Sequence, residues 1–159
     1  MVRQSGVSLI ELIVVISVVA IMVTVVMPGF SAMVQRNSMV SGVNGFIAGI
    51  QIARSEAINR GATVTLQATD PSDGNDEWGP GWTVRDGGNN VIRTFQAITQ
   101  GMTLDSPAGT NTISFNSRGM LIGNPVTLDF CITGVQGVRI ALSATGRTST
   151  SDLTSGDCP

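Results

Sequence analysis

The chain reads as α+β, a long N-terminal helix followed by a C-terminal antiparallel, β-rich head. Three observations predict this. Residues 7–27 are almost all Val, Ile, Leu, Met or Ala. Apolar residues then recur at three- and four-residue steps as far as Ala57, which is the helical period. After Gly61 the period falls to two, the period of a strand.

The elements follow in order. A short leader, residues 1–6, carries one positive charge, Arg3. The apolar run behind it is about long enough to cross a bilayer, which takes roughly 20 residues of helix. Glu11 interrupts that run. A carboxylate in an apolar span is expensive, so it usually has a partner and a role. A plain signal anchor with a stray acid is the alternative. A secretory signal peptide fits worse, because the run is too long and no small-residue cleavage site closes it. Beyond it Phe30, Met33, Val34, Val40, Val43, Ile47, Ile50, Ala53 and Ala57 form a stripe, with Arg36, Gln51, Arg54 and Glu56 largely off it. One helix is expected from about Ser8 to about Asn59, stopping near Gly61. Pro28 removes a backbone donor and predicts a kink. Gly42, Gly45 and Gly49 each weaken a helix by about 1 kcal/mol relative to Ala. Either a sheet approaches them closely or they are merely tolerated.

In the head, Val64, Leu66 and Ala68 alternate with polar residues as a first strand. Residues 70–80 are a loop rich in Pro, Gly, Asp and Asn. Residues 82–85 read as a second strand, 86–90 as a hairpin turn, 91–97 as a third strand and 102–104 as a short fourth. Residues 112–116 follow, with Ile113 and Phe115 on one face. Val126, Leu128, Phe130 and Ile132 then share a face, as do Val138, Ile140 and Leu142. Cys131 falls opposite, with Thr127, Asp129 and Thr133, on a face expected to be less buried. The polar tail, 148–159, is expected to fold back there and bring Cys158 to Cys131.

Composition narrows the function. The 159 residues suffice for one modest domain beyond the helix. Charged residues are 13%, the net charge is −2, and every basic residue is Arg. Such a chain argues against broad binding to nucleic acid or anionic lipid, while a local basic patch is compatible with it. There is no His, which excludes Ser-His-Asp and Cys-His nucleophiles and any histidine-ligated metal. No Gly-rich phosphate loop is present, and neither an enzyme nor a cofactor is expected. Asp70, Asp73, Asp76 and Glu77 put four carboxylates in one loop, which suits calcium chemically but lacks the EF-hand spacing. A solvated loop is the simpler expectation. Trp78 and Trp82 are either a stacking platform or, the favoured reading, anchors of that loop on the core. Arg54 and Glu56 are expected to order the helix end or pair with the head.

The N-terminus resembles the class III signal of type IV pilins and type II secretion pseudopilins. Gly6 would precede the cut, Glu11 would be the fifth mature residue and Pro28 the twenty-second; Val7 stands where the family usually has Phe or Met. The body resembles the GspH/FimT family at four places. Gln51-Ile52-Ala53-Arg54-Ser55-Glu56-Ala57 is similar to its "ARSEA" signature, and Trp78-Gly79-Pro80-Gly81-Trp82 to its W-x-x-G-W step. Phe115-Asn116-Ser117-Arg118-Gly119 resembles its F-x-x-x-G step, and Thr145-Gly146-Arg147 its late "GR". The C-terminal cysteines look more like the FimU/FimT branch than the secretion branch.

The resemblance implies a type IV pilin fold. Residues 1–6 would be the leader, 7–60 the helix with 7–27 in the membrane or filament core, and 61–159 a periplasmic head. It implies cleavage after Gly6 by a prepilin peptidase and methylation of Val7. It also implies charge pairing of Glu11 with a neighbouring subunit's N-terminus, and loss of helix within residues 20–27 on entering a filament. The protein would be a minor pilin that primes or assembles a type IV pilus beside other minor pilins and the major pilin. It would cross the inner membrane once and become extracellular in the pilus. The alternatives are a minor pseudopilin of type II secretion and a minor pilin that binds DNA for natural transformation. The DNA reading rests on Arg118, Arg139 and Arg147; DNA-binding relatives share a G-R-x-R motif, but Gly146-Arg147-Thr148-Ser149 lacks its second arginine. With the head outside the inner membrane, Cys131 and Cys158 form a natural disulfide; two free thiols are the alternative.

Overall fold

The computed structural model describes residues 8–72, 74, 76–98, 101–133, 135–154 and 158. Gly6, Val7 and Asp73 lie outside the described residues. Helix α1 spans Leu9–Arg60 and is continuous through Pro28. Ser8 and Glu11 stand in the S-x-x-E order of a capping box, and Leu12 N donates to the Ser8 carbonyl at 3.2 Å. At the other end Gly61 adopts φ +61°, Ala62 N donates to Ala57 O, and Gly61 N to Ile58 O. This is a Schellman termination, which needs the glycine's left-handed backbone.

Contacts divide the chain into two units, residues 1–36 and 37–159. In the first, the described side chains of α1 are exposed, and Leu9, Ile10, Leu12, Ile13, Val14 and Val15 are among them. α1 contains a stretch long and apolar enough to cross a membrane. Two of its hydroxyls bond back to the helix. Ser17 donates to Ile13 O at 2.8 Å and Thr24 to Ile21 O at 2.9 Å, where a membrane would supply no water.

The second unit holds the rest of α1 and, among the described residues, nine strands. These are β1 Val64–Ala68, β2 Trp82–Asp86, β3 Val91–Phe95, β4 Met102–Asp105, β5 Thr112–Phe115, β6 Leu121–Ile122, β7 Val126–Ile132, β8 Val135–Leu142 and β9 Thr148–Asp152. They form two sheets, β3-β2-β1-β5-β6 and β4-β7-β8-β9. Every pairing is antiparallel.

The helix face turned to the sheets is Met39, Val43, Phe46, Ile50, Ala53 and Ala57. These residues step by four and three, as one helical face must. The face is rotated slightly from the expected stripe, since Val40 is 53% exposed and Phe46 sits at the centre. The Phe46 ring meets Trp82 edge-on at 4.9 Å, Trp78 at 5.2 Å and Phe130 at 6.3 Å. Two of the three helical glycines let these rings approach. A Cβ at Gly49 would stand 2.6 Å from Trp82 Nε1, and one at Gly42 would stand 3.2 Å from the Phe130 ring; Gly45 faces open space.

Three expectations need correction. β6 has no counterpart among the expected strands, because two residues are too short for a period. β9 falls in the expected polar tail, because Thr-Ser-Thr-Ser-Asp carries no apolar signal; its backbone ladder to β8 makes it a strand. The face of Cys131 is not the less buried one, since Asp129 is only 5% and Cys131 6% exposed. The tail covers it. Buried Leu153 and the Cys158 sulfur crowd Gly137, on the strand beside Cys131.

Candidate functional site

Glu11 stands exposed in the first turn of α1, among exposed Leu and Ile side chains. An acid there complements the positive end of the helix dipole. With water removed from around it, the same carboxylate would need a cation. Pro28 lies within α1.

The arginines separate into two groups. Arg139 binds Asp129 through two hydrogen bonds, Nε to Oδ1 at 2.7 Å and Nη2 to Oδ2 at 2.6 Å. Its charge is therefore taken up by Asp129. Arg54 instead reaches the turns that carry Arg118 and Arg147, although its place on the helix gives no sign of it. Its Nε donates to the Gly119 carbonyl at 2.9 Å. Gly119 and Gly146 have φ +72° and +75°. A Cβ on Gly146 would lie 2.7 Å from the Gly119 carbonyl and 3.1 Å from Arg54 Nε, so the two turns pack with no room for a side chain. Leu121 N donates to Ala144 O at 3.0 Å and ties them further. Arg118 precedes one of these glycines and Arg147 follows the other, and both are exposed. Arg54 of α1 thus meets the β5–β6 turn that carries Arg118 and the β8–β9 turn that carries Arg147. Among the described residues none of the three is in an ion pair, whereas Arg60 pairs with Glu56 at 2.7 Å. The signal available in the sequence is the set of three matches whose residues meet here: Arg54 of "ARSEA", Gly119 of F-x-x-x-G and Gly146 of "GR".

The loop acids face inward more than outward. Asp76 Oδ1 accepts Leu104 N at 2.7 Å, and Glu77, only 3% exposed, accepts Ser106 N at 3.3 Å. Asp70 stays on the surface, where the Ser72 hydroxyl and amide hold its carboxyl below the usual range. Among the described residues no three acids or cysteines are grouped to hold a metal ion. The loop is anchored by Trp78, fully buried with Nε1 donating to Thr110 O at 2.8 Å, and by Trp82, stacked on Phe95 at 5.4 Å.

Asp105, Asp129, Arg139 and Ser151 lie opposite one another in register across the four strands β4-β7-β8-β9. Asp129 has its cation in Arg139. Asp105 has instead the buried Glu77 beside it, and its Oδ1 is buried without a hydrogen bond. Burial first, then the hydrogen bond and charge of Glu77, push its carboxyl up to about 7. The end of the chain is held by the Cys131–Cys158 disulfide, with Cα atoms 5.6 Å apart.

A family model described as type II transport protein GspH matches residues 42–146, and the prokaryotic N-terminal methylation motif matches residues 1–27. Among solved structures, the type IV minor pilin FimU of Pseudomonas aeruginosa PAO1 is similar at 22% identity with a TM-score of 0.63, over 80% of this chain and 96% of that one. A second crystal form of FimU gives 24% and 0.59, over 75% and 95%. The minor pseudopilin EpsH from the Vibrio cholerae type II secretion system gives 16% and 0.51, over 76% and 99%. No curated protein sequence matches significantly. At such identities the likeness is one of fold.

Proposed function

The chain belongs to the GspH family and has the type IV pilin fold, and from that premise we propose that it is a minor pilin that takes part in priming and assembling a type IV pilus. The supporting observation is the N-terminal methylation motif running directly into an apolar stretch of α1 whose described side chains, within residues 9–36, are exposed, with Glu11 as the acid in its first turns. A prepilin peptidase cuts after Gly6 and Val7 is methylated. The helix then leaves the inner membrane for a core of equivalent helices, held by apolar packing of their small and branched side chains. Glu11 sets the register by meeting a neighbour's N-terminal amine, since an unpaired carboxylate there is costly. The head lies in the periplasm and reaches the outside on the pilus. A type II secretion pseudopilin would share each of these steps in another machine. The stapled tail favours the pilus.

Purification of the full-length protein from its own membranes tests this, with the N-terminal peptide and co-purifying subunits read by mass spectrometry. A methylated Val7 with pilus subunits is the expected result. Secretion pseudopilins in their place move the protein to the other machine, and an N-terminus still at Met1 removes the assembly reading.

A second reading, capture of extracellular DNA, is favoured by one observation: Arg54 meets the two turns that carry Arg118 and Arg147, and among the described residues none of the three is in an ion pair. Backbone phosphates suit such arginines. Binding of duplex DNA should fall steeply with salt, and Arg118→Ala and Arg147→Ala should each lower the salt slope by about one. No shift of duplex DNA at low salt removes this reading.

A further inference from the structure

The two edges of the β4-β7-β8-β9 sheet are finished differently. On β4, residues 76–78 take up the free backbone groups. Leu104 N and Ser106 N donate to the Asp76 and Glu77 carboxylates, and Trp78 N donates to Leu104 O at 3.1 Å. An edge closed in this way cannot recruit another strand. β9 has no such cover among the described residues. Leu153 N points inward, to Gly137 O at 2.9 Å. By the period of two, the N–H and C=O of Thr150 and Asp152 therefore point outward. β9 contains no Pro, no Lys and no register shift against β8, the usual devices that block an edge.

A groove of about 500 Å³ opens beside this edge. Val40, Val43 and Ile47 of α1 and Val138 of β8 supply its apolar lining, and Thr150 and Asp152 supply its β9 side. The sheet thus ends one strand short of covering the helix, and Val40 is left 53% exposed.

We infer that this edge and groove receive an extended segment of a different pilin-like subunit, which adds to β9 as a strand, lays an apolar side chain over Val40 and Ile47, and sets a cationic side chain beside Asp152. The inference rests on the pilus-assembly reading. The occupant is extended because the unpaired groups belong to alternate residues of a strand, a spacing that another strand's backbone matches. It is apolar toward the helix side of the groove because Val40, Val43 and Ile47 line it there, with Asn44 the one polar residue of α1 among them. It carries a cation because Asp152 makes no ion pair among the described residues. A second copy pairing β9 with β9 does not fit. Its Thr150 and Asp152, rather than an apolar side chain, would face the groove.

Amide hydrogen exchange tests this on full-length protein in detergent, with and without the pilin subunits that co-purify. The amides of Thr150 and Asp152 are expected to exchange at least tenfold more slowly in the complex. Thr150→Pro removes only an outward N–H, which an edge strand tolerates. It should leave the melting temperature near wild type and recover roughly tenfold less partner, as loss of one or two backbone hydrogen bonds predicts. Val40→Glu should do the same from the helix side without touching β9. Equal exchange at Thr150 and Asp152 in both samples overturns the docking and leaves the assembly reading standing. So does undiminished partner recovery with Val40→Glu, or protection produced by a second copy alone. Absence of any co-purifying pilin subunit overturns both.

Discussion

Phe46 is the residue on which the head's interior converges. Its ring is fully buried and touches two tryptophans and Phe130. Phe46→Ala should destabilise the head by about 3–5 kcal/mol, since the cavity has aromatic walls that cannot collapse; denaturant titration followed by Trp fluorescence measures it. Asp105 sets a pH dependence. Its folded carboxyl is raised from 3.8 to about 7, by burial before Glu77. A raised carboxyl contributes stability in full below its unfolded value, and that contribution is lost as pH rises through the folded value. The wild type should therefore lose stability between about pH 4 and about pH 7. Asp105→Asn, neutral throughout, should show a flatter profile of denaturation midpoint against pH. An unchanged profile would mean that Asp105 is not held buried beside Glu77.

At the scale of elements, α1 does two kinds of work. Its first part shows apolar side chains to the surroundings, and its last turns are tied to the head. Arg54 reaches the turn at Gly119, and Arg60 lies 2.7 Å from Glu56 and 3.9 Å from Asp86. Exposed pairs of this kind contribute little each; the buried helix face does more. β9 depends on its backbone pairing with β8 and on the disulfide at Cys158. That disulfide closes a span of 27 residues, and a loop of that length corresponds to roughly 3.5 kcal/mol in the chain-entropy model. Cys158→Ser should lose about that much stability, and the amides of β9 should lose exchange protection before those of β7. Uniform loss over the whole head would show instead that the tail and the core unfold together.

On the scale of the molecule, the buried cluster begins at Met39 and lies entirely in the unit 37–159. A chain beginning at Asn37 should therefore be soluble and unfold in one cooperative step, with the far-UV circular dichroism of a mixed α/β protein. Aggregation, or a broad transition, would show that residues 1–36 take part in folding the head.

Residue order alone was enough for the helix, its stop at Gly61, most of the strands and the cysteine pairing. Each depends on a local period, a capping residue or a count. The same holds for the apolar run with its single acid, Glu11. The rotation of the helix face toward Phe46, the strand at β9 and the burial of Asp129 were decided by tertiary structure. So were the pairing of Arg139 with Asp129 and the approach of Arg54 to the turns that carry Arg118 and Arg147. In each case the deciding contact lies far away in the chain. β9 has no apolar period and is defined only by the ladder on β8. Arg139 reads as a surface charge until β7 brings Asp129 opposite it. Arg54 reads as a helix-end charge until two glycine turns, 65 and more residues later, close on it. Periodicity reports what a residue's neighbours in sequence require; which strand ends up opposite it is set by packing the whole core.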